Sequence, residues 1–215
     1  MSVRILSAFF GVAGLLAGCG TVVTEPLTQD ELVTSGFAVV SPTGAIDLGL
    51  DQVDVNKIIR FGQNGYAYQV GFDNTDGLFA VSGLLPTTSV TPTPTGTAIY
   101  QGNYQIAIVD NITLDAPGRP GIWGDPTIQK GPLTLLADFS DGSVQTPLGS
   151  ALTVNGNVDD DLGGLNGNVQ YGGVTGDLDM LIGGDQAIGA FHGEGNVGPG
   201  TDDDYMYAGG FIADR

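Results

Sequence analysis

The chain of 215 residues holds one histidine, one cysteine and one tryptophan, and each is a residue type that does chemistry when it has the right partners. His192 lies in AIGAFHGEG, residues 187–195. An imidazole there would serve as a general base, or as a ligand to a metal or haem iron. A nucleophilic arrangement needs a serine and an acid beside it, and the chain carries no Gly-x-Ser-x-Gly segment. A ligand role needs a set of further donors, and one imidazole alone is weak evidence for it. Neighbours in a strand point to opposite faces. Phe191 therefore shares a face with Ala187, Gly189 and Gly193, and His192 shares the other with Ile188, Ala190 and Glu194. This patterning assigns Phe191 to a core and His192 to a packed aromatic position, with ligation the lesser reading. No catalytic residue and no metal site is assigned, and the chain is read as a non-enzyme.

Trp123 and Arg119 fall in DNITLDAPGRPGIWGDPTIQKGP, a stretch expected to be irregular and to connect two strands. Long irregular connections in compact domains are commonly functional, and Trp and Arg are enriched among interface hot spots. Either this segment carries a ligand or partner contact, or Trp123 folds back over one end of the domain. Asp159-Asp160-Asp161 and Asp202-Asp203-Asp204 fall in turns. Neither shows the spacing of a twelve-residue calcium loop with its terminal glutamate, so both are read as solvated.

The leader MSVRILSAFFGVAGLLAG has one early cation, Arg4, and an uncharged apolar run from Ile5 to Ala17. That run is too short for a transmembrane helix and has the layout of a secretory signal. Leu16-Ala17-Gly18-Cys19 resembles the lipobox of bacterial lipoproteins. The resemblance implies cleavage before Cys19 and acylation of that residue, giving a stable membrane anchor, and it explains why an exported chain keeps one unpaired cysteine. With 24 acids against 6 bases, one of them Arg4 in the leader, the remaining chain is strongly acidic. It repels nucleic acid and anionic lipid headgroups.

These residues must be positioned by strands. The 36 glycines have no collagen period and sit within apolar runs, as in curved, closely packed β structure. Residues 19–35 read as a tether. Residues 36–90 carry short apolar runs separated by Asn64-Gly65 and Asp76-Gly77, which predicts a small antiparallel β unit. The Pro/Thr-rich stretch at 91–96 is the internal boundary. Beyond it, residues 97–215 alternate apolar and polar positions in about eight segments at hairpin spacing. Such alternation describes half-buried antiparallel strands, and eight is the number at which a closed barrel just fills its interior or holds one small ligand. The fold class is all-β: an eight-stranded antiparallel barrel preceded by a small β-rich unit.

The segments YQGNYQ, LLADFSDGSV and GLNGNVQYGG, with the closing pair AIGAFHGEG and YAGGFIAD, resemble the barrel domain of transferrin-binding-protein-B-like lipoproteins. Gly189, Ala190, Phe191 and Gly193 match the first closing strand of that family, and Gly209, Gly210 and Phe211 match the second; His192 stands where an aromatic is usual. The resemblance implies a lipid-anchored outer-membrane or surface protein that binds an iron- or haem-related protein or a small solute. Only through it do haem and iron come into view as cofactors. A chain of this length has room for a single barrel, so it is similar to the short solute-binding members. The alternative is a structural or adhesive envelope lipoprotein whose barrel is filled and binds nothing specific.

Overall fold

The computed structural model describes residues 33–46, 48, 59–63, 65–73, 77–91, 95–116, 119–122, 124–158, 164–196 and 204–215. Among them are thirteen strands and no helix. The barrel is built from β5 (Thr97–Ala116), β7 (Thr127–Asp138), β8 (Ser143–Gln145), β9 (Thr153–Val158), β10 (Gly164–Tyr171), β11 (Val174–Ile182), β12 (Gln186–Asn196) and β13 (Asp204–Asp214). Each pairs antiparallel with the next, and β13 pairs back onto β5 to close the ring. The alternation of the sequence maps onto this closure directly. In β9 the inward Val154 and Gly156 oppose the exposed Asn155 and Asn157, and in β10 the inward Leu165 and Val169 oppose Asn166 and Asn168. Turns fall where the chemistry allows them. Gly142 sits at φ 76°, and Gly172 and Gly173, at φ 57° and 90°, join Tyr171 to its partner Val174. Two consecutive positive φ values are those of the type I′ hairpin turn.

The interior is filled by a recurring pair. Tyr104 faces Gly131, Phe191 faces Gly209, Tyr207 faces Gly193 and Phe211 faces Gly189, each directly across two hydrogen-bonded strands. In every case the ring lies over the glycine where a methyl group would otherwise stand; a Cβ at Gly193 would come within 2.5 Å of the Tyr207 ring, and one at Gly131 within 2.5 Å of the Tyr104 hydroxyl. Pairing an aromatic with a cross-strand glycine covers bare backbone and pins register. The rings then touch in series: Tyr104–Tyr171 at 6.0 Å, Tyr171–Tyr207 at 6.2 Å, Tyr207–Phe191 at 6.1 Å and Phe191–Phe211 at 6.4 Å between centroids. The Tyr207 hydroxyl donates to the Val174 carbonyl, and the Tyr100 hydroxyl to that of Gly183. Their polar tips are thus satisfied at the edges of an apolar core.

A four-stranded sheet packs on the outside of this ring, in the order β1 (Val33–Phe37), β4 (Gly77–Leu84), β3 (Tyr66–Asp73), β2 (Ile59–Gln63). Its Tyr66, Tyr68, Val70 and Ala80 share a buried cluster with Ala107, Ile188, Ala190 and Ala208 on the outer faces of β5, β12 and β13. Tyr66 reaches the barrel backbone at Gly210, where any Cβ would collide with its ring. The segment leading to β5 is tied down as well, since Thr91 Oγ1 donates to Asp185 Oδ1 at 2.7 Å on the β11–β12 turn.

Two expectations are corrected. Within residues 36–90 the strands β2, β3 and β4 pair antiparallel, but β1, which begins in the stretch expected to be a tether, joins the sheet parallel to β4. A parallel neighbour needs a long crossover rather than a tight turn, and pattern alone does not show which way such a strand returns. The connection after the first barrel strand is not irregular either. β5 continues to Ala116 and pairs with a short β6 (Arg119–Ile122) before β7 begins at Thr127. Asn111, at φ 53°, lies where the β5–β13 register shifts. Such a bulge bends the strand, and beyond it the buried face passes to Ile112. Pro120 is tolerated because β6 is an edge strand.

Gly193→Ala forces its new methyl into the Tyr207 ring and is expected to cost about 1–3 kcal/mol, the usual range for overpacking a closed core. Gly36→Ala, where a Cβ meets nothing within 4 Å, serves as control and leaves the melting temperature near the parent's. Thermal unfolding checks both, and adding Tyr207→Leu to Gly193→Ala recovers part of the loss.

Candidate functional site

His192 stands on the outer face of β12, with Asp177 of β11 and Ala208 of β13 as its cross-strand neighbours. Phe191, one residue before, points into the barrel. The imidazole does not reach open solvent: it is 6% exposed, with Phe37 of β1 edge-on at 4.5 Å between centroids. Its Nδ1 lies 3.2 Å from the Ser35 hydroxyl. Burial lowers its pKa from 6.5 to about 4, with the nearby Asp177 carboxylate pulling weakly the other way. The fold therefore gathers a hydroxyl, an imidazole and a carboxylate around one point, a grouping that the sequence alone did not reveal because Ser35 is 157 positions away. At neutral pH so weak a base is poorly matched to general-base work. The ring acts as an aromatic and hydrogen-bonding seat for β1. Among the described residues, no group of three or more His, Cys, Asp or Glu side chains stands close enough to hold a metal ion.

Arg119 opens β6 opposite Ala116, and its side chain lies outside the described residues. Trp123, Cys19, Asp159-Asp160-Asp161 and Asp202-Asp203 also lie outside them. Asp204 begins β13 opposite Asn196.

A concave site that sequence patterning missed runs along the seam between the small sheet and the barrel. Two adjoining cavities, of about 410 and 660 Å³, meet at Ile212. The first is lined by Thr87, Thr88, Ser89, Gln186 and Ile188. The second is lined by Gln101, Asn103 and Gln105 on the outer face of β5, with Tyr66, Lys130 and Asp214 around them. Several of these groups are held in place. Gln186 Nε2 donates to Asp214 Oδ1 at 2.8 Å, Gln105 Nε2 to the Tyr68 hydroxyl at 2.6 Å, and the Thr88 hydroxyl to the Gly65 carbonyl at 2.8 Å. Burial, helped by Tyr68, pushes the Tyr66 phenol well above its ordinary pKa, so it remains a neutral donor. The lining offers hydroxyls, carboxamides, one cation and one carboxylate. It is an open groove at a junction of two elements, and the chemistry of its lining suits a neutral polar ligand. The alternating Gln101-x-Asn103-x-Gln105 was visible in the sequence as a polar face. The wall that makes it a groove is supplied by β3, some thirty to forty residues earlier.

No protein-family model matches the chain, and no curated protein matches it. Among solved structures it is similar to a double mutant of transferrin binding protein B from Haemophilus parasuis, with a TM-score of 0.40 and 12% identity over 74% of this chain. The match covers 37% of that protein, so the chain spans little more than a third of its length. It is also similar to the S-type phycobiliprotein lyase CPES from Guillardia theta, with a TM-score of 0.26 and 10% identity over 56% of this chain and 88% of that one.

The lowered pKa of His192 makes stability depend on pH. Between pH 6.5 and 4 the unfolded chain binds a proton that the folded chain does not, so stability falls as the pH drops through that window. The difference amounts to about 2–3 kcal/mol by pH 4.5 at 1.36 kcal/mol per pKa unit. Urea unfolding at pH 7 and 4.5 should show the native chain losing more stability than His192→Phe by about that amount.

Proposed function

We propose that the chain is a lipid-anchored envelope protein that holds a small, neutral, polar solute on the outside of its barrel, in the seam groove lined by Gln101, Asn103 and Gln186. The observation that carries this reading is the contrast between the two spaces. The barrel interior is occupied by Tyr100, Tyr104, Phe191, Tyr207 and Phe211, whereas the seam keeps adjoining cavities of about 410 and 660 Å³ with oriented hydrogen-bonding groups. In this reading the barrel is a rigid scaffold, the small sheet is the wall of the site, and the protein is a binder and not an enzyme. Acylation of Cys19 anchors it to the outer membrane, facing the surface or the periplasm. A second reading draws on the same filled interior: a structural or adhesive envelope lipoprotein with no specific ligand.

Native mass spectrometry of the Cys19→Ser chain, exposed to spent medium of the producing cells and repurified, separates the two. The solute reading expects a discrete small adduct that is lost in Asn103→Trp, whose indole fills the groove. The structural reading expects a bare polypeptide mass. An adduct of protein size that is lost in Trp123→Ala would instead place recognition of a secreted or host protein on the β5–β6–β7 extension near Arg119. For the anchor, metabolic labelling with an alkynyl palmitate is expected to mark the native chain and to fall to background in Cys19→Ser.

A further inference from the structure

The segment Asn-Gly-Asn-Val occurs twice, at 155–158 and 166–169. The two copies lie on adjacent strands and pair antiparallel, so that Asn155 faces Asn168, Asn157 faces Asn166, and the glycines between them meet as Gly156 and Gly167. All four asparagines are exposed on the outer face of the barrel. The bare glycine backbones between them approach so closely that a Cβ at Gly167 would fall 2.8 Å from the Gly156 Cα. The glycines belong to the inward-facing set with Val154, Leu165 and Val169, and the four carboxamides form a square on the opposite, outer face.

The register carries the square outward in both directions. One row runs from Gln145 through Asn155 and Asn168 to Asp177, and the next from Ser143 through Asn157 and Asn166 to Asp179. A third, of Thr153, Gln170 and Thr175, lies beside the first. Neighbours within a row are about 4.8 Å apart and the rows about 7 Å apart, as set by strand spacing and a two-residue rise. The small sheet packs over β5, β12 and β13; the outward residues of β9 and β10 are exposed, whereas Asp179 on β11 is half-buried and burial raises its carboxyl pKa.

We propose that this face is a docking surface for a neutral, hydroxyl-rich polysaccharide. A carboxamide carries donors and an acceptor together, the pattern that vicinal hydroxyls satisfy, and the exposed Asp177 carboxylate accepts from a further hydroxyl. No lysine or arginine stands in the three rows, and the chain carries a net charge of −18, so anionic polymers are repelled. The rows also lack the Trp, Tyr and Arg anchors of a protein interface. An uncharged polyol is the class that remains complementary. Each such hydrogen bond replaces one to water, so a single sugar gains little. A periodic polymer engages many positions at once, and an anchored array of copies adds avidity. This surface lies apart from the seam groove, and the proposal does not rest on the solute reading.

The test is affinity electrophoresis of the detergent-extracted full chain through native gels containing hydroxyethyl cellulose, dextran or galactomannan, with alginate as the anionic comparison. Retardation in at least one neutral polymer, reduced tenfold or more in Asn155→Ala/Asn157→Ala/Asn166→Ala/Asn168→Ala with an unchanged melting temperature, is expected. The pair Asn157→Ala/Asn166→Ala, which removes one row, should lose less; it stands in for the quadruple variant should that variant unfold. Asn103→Trp, in the seam groove, should migrate as the native chain does. No retardation in any neutral polymer, retardation indifferent to the asparagines, binding confined to alginate, or binding that requires added calcium would each overturn the proposal.

Discussion

The barrel depends on placing an aromatic ring directly opposite a glycine. An eight-stranded ring has an interior that side chains just fill or that holds one small ligand, and here large rings take up much of that space. Gly131, Gly189, Gly193 and Gly209 give up their side chains so that Tyr104, Phe211, Tyr207 and Phe191 can lie over them. The exchange favours closure on two counts. Four rings enter the core with their full apolar area, worth roughly 25 cal/mol per Å² removed from water. Each also pins a register that glycine-rich strands would otherwise leave free to slip.

The same device works on the outer surface. Tyr66 comes down on Gly210 as the interior rings come down on theirs, and this brings the small sheet close enough for Ala107, Ala190 and Ala208 to be buried beneath it. Because the sheet covers only part of the ring, it divides the exterior into three regions. Beneath it lies a dry layer that contains His192; along its border runs a polar seam with room for a solute; beyond that is the open asparagine face. The position of one small sheet thus decides where the concave surface lies.

Much of the barrel was legible in its period of two. Leu133, Leu135 and Ala137, or Val154 and Leu165, alternate with polar neighbours so regularly that their inward orientation follows from the residue order, and Asp141-Gly142 marks a turn that the positive φ of Gly142 fulfils. Phe191 was likewise legible as the inward member of its pair. Other features depend on contacts between distant segments. The Ser35 neighbour of His192, the parallel return of β1 and the wall beside Gln101 and Gln105 all come from residues before the barrel, and no local pattern encodes how that sheet docks. The extended strand through Asn111 was hidden for another reason: Pro120 and its flanking glycines signal a loop, whereas an edge strand beyond a bulge tolerates them.

On the proposed reading, a barrel interior packed with its own side chains leaves a ligand to bind outside. Xenon enters dry apolar cavities and reports them directly, so the decisive measurement is methyl NMR of the protein under xenon pressure. The account predicts no saturable shifts at Leu135, Leu165, Leu178 or Met180, whose side chains line the interior. Saturable shifts clustered on those methyls would reveal an internal cavity and contradict it.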